Sequence, residues 1–296
     1  MSLTISLSGD HMLGRSFNEY KRIPWDDNVI RVVRGSLWFA NLETSVTASE
    51  NKDPSRVFNF KIDPVLFKDL ISPLRASSTL AFNIANNHIL DYGLEGMEET
   101  KKVLSDLKIP FVGTVDTPYT IIPAPGMNVG FMGISDHPSE WATKGLNYLD
   151  IEGGYWTRFL EQVKMVQSKC DILIVYIHWG PNWVDTINPK YVEFAHSLID
   201  NGVTIVAGTS PHHLLPMEFY KDGIIFYSLG DFIDDYAVDE KHRSDLGILS
   251  QVVFSDKKIE KVLLWPSRID KMKVSLLGRD DPDYNTVTKM MGITPL

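Results

Sequence analysis

Asp10, Glu43, Asn87 and His178, with one of the pair His212 and His213, are the side chains of this sequence best suited to hold a metal ion, and all follow short apolar runs. Residues 4–8 lead into Gly9-Asp10-His11, and 37–40 into Asn41-Leu42-Glu43. Residues 80–85 lead into Asn86-Asn87-His88, and 172–177 into His178-Trp179-Gly180. Residues 203–207 lead into Gly208-Thr209-Ser210-Pro211-His212-His213. Oxygen and nitrogen donors mixed in this way suit Mn, Fe or Zn better than Ca or Mg. No cysteine joins them, which argues against a structural zinc site. Two divalent ions about 3.5–4 Å apart under a bridging carboxylate would clamp an in-line displacement at phosphorus. His88, next to Asn87, is then placed to donate a proton to a leaving oxygen.

Singly, each of these residues has a plainer interpretation. Asp10 suits a turn, Glu43 a solvated surface, and Asn87 a strand end, where asparagine is common. His178 ends a run that reads as a buried central strand, so a satisfied core histidine is as good an account as a ligand. His212 and His213 are adjacent and point opposite ways on an extended segment, so only one of them serves a single site. The weight lies in the coincidence, because ligands in open α/β sheets bind beyond the carboxyl ends of the strands. Other chemistries fit worse. The chain has no Gly-x-Ser-x-Gly elbow and no phosphate-binding loop of the Gly-x-x-x-x-Gly-Lys type, and its one cysteine, Cys170, has no histidine near it in sequence. Cys170 reads as a partly buried, inert thiol.

The elements that must carry these residues alternate through the first two thirds of the chain. Helices are predicted over 93–107, capped by Asp91, and over 154–169. A third follows Asn188 as N-cap and Pro189 in the first turn, buries Tyr191, Phe194, Ala195, Leu198 and Ile199, and ends at Gly202. His196 falls off that stripe and reads as solvated. Three β-hairpins are predicted: 119–123 with 129–134, 215–220 with 224–228, and 247–254 with 259–265. Parallel βα units mixed with hairpins imply a mixed sheet, or two stacked sheets with helices outside. The chain reads as a single domain over 1–296, with a core of about 4–265 and a polar, peripheral segment over 266–296.

Composition narrows the partners. A chain of 296 residues with 44% hydrophobic residues needs no staple to hold a core. A net charge of −9 with no clustered Lys and Arg excludes nucleic acid as the expected partner. No apolar run reaches the ~20 residues that span a bilayer. The expectation is a cytoplasmic protein as the sequence stands, with export or membrane association of a longer form left open. Met1-Ser2-Leu3 reads as a cloning scar. The sequence gives no oligomeric state.

At these motifs the chain resembles the CapA family, the poly-γ-glutamate capsule synthesis proteins related to calcineurin-like metallophosphoesterases. The matching stretches are Gly9 to Arg15, Asn41-Leu42-Glu43, Ala85 to Gly93, His178-Trp179-Gly180, Gly208 to His212, and Tyr227 to Phe232. They run in the family's order over about residues 4 to 235. The resemblance implies a four-layer α/β/β/α sandwich of metallophosphatase type with a metal site at one edge. It places Asp10, Glu43, Asn87, His178 and His212 at metal-ligand positions for one or two divalent ions. His88 takes the place of the acid histidine, and Arg15 that of an arginine facing an anionic group. Asn86, Trp179, His213 and Asp231 stand beside these positions as candidate substrate contacts.

Two departures from the family pattern stand out. Ser210-Pro211-His212 replaces the usual His-Pro-His, and serine is a poor metal ligand. Asp231 replaces a usual asparagine and adds negative charge. The resemblance implies a metal-dependent hydrolase, acting on phosphoesters or related bonds of a small-molecule or polymer substrate, in capsule or cell-envelope metabolism. Two alternatives stay open: a non-catalytic accessory protein that binds the polymer, with Trp141, Trp179 and Trp183 along a cleft, and a metal-dependent amidase on γ-glutamyl bonds.

Overall fold

A computed structural model describes residues 2–292; Met1 and the last four residues of the predicted C-terminal segment lie outside the described residues. Two β-sheets stack face to face. The larger has eight strands. It runs from Lys273–Leu276 through Lys258–Asp270, Leu246–Ser255, Ser2–His11, Leu37–Leu42 and Thr79–Asn83 to Phe111–Val112, with Asp231–Ile233 paired beside Ser2–His11. The second has six, in the order Leu214–Tyr220, Gly223–Leu229, Ile205–Thr209, Ile172–His178, Met127–Ser135, Tyr119–Ala124.

Alternation along the strands explains the layering. On Ile172–His178, the side chains of Ile172, Ile174 and Tyr176 enter the core between the sheets. Leu173, Val175 and Ile177 enter a second core against the helices Thr157–Gln167 and Pro189–Asp200. A strand covered on both faces must be apolar throughout, as this run is. Trp38, Ala40, Leu42, Leu80 and Phe82 pack the outer face of the larger sheet under Asp27–Val32, Pro64–Ser77 and Gly93–Asp106. The result is a mixed α/β sandwich with helices on both outer faces.

The three predicted hairpins form, and the helix over Pro189–Asp200 is capped by the Asn188 side chain on Lys190 N. Three local expectations need correction. The Asp91 side chain does not cap the helix Gly93–Asp106, whose N-cap residue is Tyr92. His196 is not simply solvated: its Nε2 lies 2.9 Å from Glu218 Oε1 and its ring stacks on Tyr220 at 3.8 Å. The C-terminal segment enters the body of the fold, since Lys273–Leu276 adds an edge strand and Val287 and Met291 are buried between the sheets. Cys170 is half-buried, and burial pushes its thiol up, away from reactivity.

What places the site is the end of the first strand. Ser2–His11 lies parallel to Leu37–Leu42 on one side and Asp231–Ile233 on the other, setting Asp10 opposite both Asn41 and Asp231. Gly9 makes that approach possible, because a Cβ there would stand 1.6 Å from the Gly230 carbonyl oxygen. Gly9→Ala is expected to cost about 3 kcal/mol through overpacking, measured as a lower denaturant midpoint at unchanged slope. A loss under about 1 kcal/mol would contradict this account of the junction. Beneath the site, the Tyr176 hydroxyl lies 2.8 Å from the carbonyls of both Ser8 and Phe39, tying one sheet to the other.

Candidate metal centre

Four side chains offer ligand atoms within 4.8 Å of one another: Asp10, Glu43, His212 and Asp231. All are buried. Asp10 is held from two sides, accepting from Asn41 Nδ2 at 2.6 Å and from the Ser210 amide at 3.1 Å. His212 Nδ1 meets Asp231 Oδ1 at 3.0 Å. Glu43 is different. Neither of its carboxylate oxygens, nor Asp231 Oδ2, has a hydrogen-bond partner among the described residues. Buried polar atoms are almost always satisfied, and a buried carboxylate left bare costs several kcal/mol.

His178 and Asn87 stand against this cluster. His178 Nε2 lies 3.1 Å from Asn87 Oδ1 and 3.9 Å from Glu43 Oε1, and its Nδ1 lies 3.1 Å from Thr209 Oγ1. Two donors held at about 2.1 Å from one ion, at right angles, are about 3 Å apart. The His178–Asn87 pair has that spacing. Of the five predicted ligand positions, Asp10, Glu43 and His212 lie in the close group, while His178 and Asn87 stand beside it, His178 Nε2 being 3.9 Å from Glu43 Oε1. Asp231, expected as a substrate contact, belongs instead to the close group.

Burial and the mutual repulsion of its carboxyls dominate the electrostatics of the cluster, a strain that a cation would relieve. Burial and then the Asp10 charge push Glu43 well above its ordinary 4.5. Burial raises Asp231, and burial with the Asp231 charge raises the neighbouring Asp234. Burial also opposes ionisation of Asp10, but His178, whose Nδ1 lies 3.7 Å away, and His212 hold it below the usual range. Burial disfavours charge on His212 too, yet Asp231 and Glu43 raise it to about 10. Burial lowers His178 to about 4.

His88 forms a second functional unit that the sequence showed only in part. Its Nδ1 meets Asp91 Oδ2 at 2.6 Å, its ring stacks on Phe60 at 4.0 Å, and its Nε2 lies 4.0 Å from Glu43 Oε1. Arg56 Nε stands 2.9 Å from Asp91 Oδ1 while its guanidinium covers Trp141. Burial pushes Asp91 up to about 8 and His88 well below 6.5. One proton is therefore shared across the pair near neutrality. With that proton on Asp91, the carboxyl donates to His88 Nδ1, and the neutral ring carries its own hydrogen on Nε2, facing the cluster as a donor. The spacing Asn87-His88-x-x-Asp91 is the sequence signal for this dyad, and it competes with the equally local reading of Asp91 as a helix cap.

The remaining predicted residues separate into scaffold and rim. Asn86 is fully buried, and its amide nitrogen donates to Leu42 O at 2.8 Å and to Asn41 Oδ1 at 3.3 Å, so it positions rather than contacts substrate. Trp179 is buried with its indole N–H on Tyr227 O, at the edge of a small pocket it shares with Tyr191, and Trp141 is buried under Arg56. Trp183 is half-buried over His212, His213 and His242. His213 is buried and turned to Leu214 O, away from the cluster, as its place beside His212 requires. Arg15 sits at the rim, 3.3 Å from Asp235 and facing Phe58, Phe60 and Tyr236. Asn41 was missed, although it joins Asp10, His178, Asn83 and Asn86 in one network. Backbone strain also gathers here: Trp183, Ser210 and His212 all have positive φ, at 59°, 100° and 61°.

Comparison with known proteins agrees with this geometry. The family model described as bacterial capsule synthesis protein PGA_cap matches residues 4–236. A "Probable polyglutamine synthesis accessory protein" of Mycobacterium tuberculosis is 28% identical over 298 residues, covering 91% of this chain and 76% of its own length. The "PGA biosynthesis protein CapA" of Bacillus subtilis is 27% identical over 248 residues, 79% of this chain and 63% of that protein. Among solved structures, a novel phosphatase from Mycoplasma pneumoniae superposes with a TM-score of 0.55, covering 97% of each chain at 12% identity, a likeness of fold alone.

Proposed function

The chain belongs to the bacterial capsule synthesis protein family PGA_cap, and from that premise we propose that it is a metal-dependent hydrolase acting on phosphoesters of the capsule or cell envelope. The observation that carries this reading is the pair of partnerless Glu43 oxygens, buried within 4.8 Å reach of Asp10, His212 and Asp231. Hydrogen-bonded scaffolds do not leave such atoms bare, whereas a cation would satisfy them. Asp10, Glu43, His212 and Asp231 would hold one divalent ion, and Asn87 and His178 with Glu43 would begin a second place. Their mixed carboxylate, amide and imidazole donors favour Mn, Fe or Zn. Bound there, such an ion supplies Lewis-acid polarisation of a phosphoryl oxygen and an activated water.

The chain's own groups do the rest. His88 Nε2–H faces the cluster and donates to the leaving oxygen, while Asp91 fixes the ring and stabilises the charge it would acquire on reprotonation. Phe60 covers one face of the ring and keeps bulk water from it. Arg15, at the rim, offers positive charge to an anionic substrate that the acidic interior would otherwise repel.

His88→Ala is expected to lower kcat for a phosphodiester by about 10²–10⁴-fold with metal content unchanged. Loss of bound metal in that variant would show that His88 is a ligand, not an acid. A parallel assay on a γ-glutamyl peptide separates the phosphoesterase from an amidase. No turnover of either substrate with Mn, Fe or Zn would defeat the hydrolase reading and leave the accessory role. That role loses one support here, because two of the three tryptophans it needs are buried.

A further inference from the structure

We propose that His137 is a metal ligand, supplying the second ion place with the imidazole that Ser210 does not provide. This rests on the reading of the cluster as a metal centre. It begins with Ser210, whose polar groups are already committed. Its amide donates to Asp10 Oδ2 at 3.1 Å and its hydroxyl to Gly180 O at 2.9 Å. A serine so used has little left to offer an ion. The atom that reaches the same point from another strand is His137 Nε2, 3.5 Å from Ser210 Oγ.

His137 is built as a ligand is built. It follows the strand Met127–Ser135, whose last residue pairs with His178. Its ring centroid is 5.1 Å from that of His178, tilted by 41°, so the two imidazoles are neighbours. On its far edge Nδ1 meets Asp136 Oδ1 at 2.5 Å. Asp136 is itself fixed through its other oxygen, which accepts from the Gly180 amide at 3.0 Å and from the Tyr191 hydroxyl at 2.9 Å. A carboxylate that holds one ring nitrogen protonated leaves the other with its lone pair outward, the usual support of a metal-bound histidine. His137 and Asn87 also line one cavity of about 490 Å³, so the place is open to ions and substrate. Beside Asn87 and His178, the His137 Nε2 atom would add a second imidazole nitrogen to that ion place.

The test is metal stoichiometry and spin coupling rather than turnover. The full chain, stripped by chelator and refilled with Mn(II), is expected to hold two equivalents and give the spectrum of an exchange-coupled pair. His137→Ala should hold one equivalent with an uncoupled Mn(II) signal, and adding Ser210→His should restore the second. His137→Phe, which keeps the ring's bulk without a ligating atom, should behave like the alanine variant. Two coupled equivalents in either variant would overturn the proposal, as would a native protein that takes one equivalent only. A native protein that binds none would defeat the metal-centre reading itself, a result distinct from both.

Discussion

Glu43→Gln is expected to abolish metal binding at the cluster, reduce phosphoester turnover by at least about 10³-fold, and yet make the metal-free protein more stable at alkaline pH. The direction follows from the two bare oxygens. With no cation, ionising Glu43 puts a charge in a buried site beside Asp10 and Asp231. A glutamine keeps the shape and removes the charge. Replacing an uncompensated buried ion is commonly worth about 1–4 kcal/mol. In the native protein a divalent ion at 100 times its dissociation constant adds about 2.7 kcal/mol, a rise of about 5 °C in a chain of this size. In the variant that rise should vanish. Thermal scans with and without Mn(II), at pH 8.5, read both effects. A variant that still gains 5 °C from Mn(II) would show that the ion sits elsewhere.

In chelator, the native protein should lose stability as pH rises from 6.5 to 8.5; saturated with Mn(II), it should not. The sign is set by the raised carboxyls. A folded state that holds protons more tightly than the unfolded chain loses stability with rising pH, by up to about 1.4 kcal/mol per unit and per group. Glu43, Asp231 and Asp234 are raised from ordinary values of 4.5, 3.8 and 3.8, and Asp91 to about 8. Each therefore loses its contribution above its unfolded value, until its folded value is passed. His212, raised to about 10, loses its own between 6.5 and 10. His178 and His11, lowered to about 4 and about 3, act only below 6.5, where they destabilise as they charge in the unfolded chain. Between 6.5 and 8.5 Asp91, up to about 8, and His212 therefore lower stability together as pH rises. Metal binding displaces those protons and strengthens with pH, so the gap between the two melting curves should widen across the window. Parallel curves would mean that the carboxyls of the cluster do not exchange protons for metal.

Much of the scaffold was legible because its signals are local. The run from Ile172 to Ile177 is apolar at every position since both of its faces are covered. Asn188-Pro189 announces a helix start through one side chain and one fixed dihedral. The hairpins follow from short polar turns between apolar runs. The strand-end clusters put Asp10, Glu43, Asn87 and His178 forward and the family resemblance selected His212; the structure sets Asp10, Glu43 and His212 in one close group, with His178 and Asn87 beside it.

What the sequence left open depends on contacts between distant segments. Asp231 joins the cluster because a three-residue strand lies parallel to Ser2–His11 and sets it opposite Asp10. Asp91, next to a helix, turns its carboxylate to His88 because Phe60 N and Arg56 meet it there. Asn86 and Trp179 face inward, where Leu42 O and Tyr227 O take their N–H groups. Asp136-His137 arrives beside Ser210 through the pairing of Ser135 with His178. Local sequence fixes a residue's chemistry and the strand that carries it. Register between remote strands decides which neighbour satisfies each buried polar atom, and so which carboxylates remain without one.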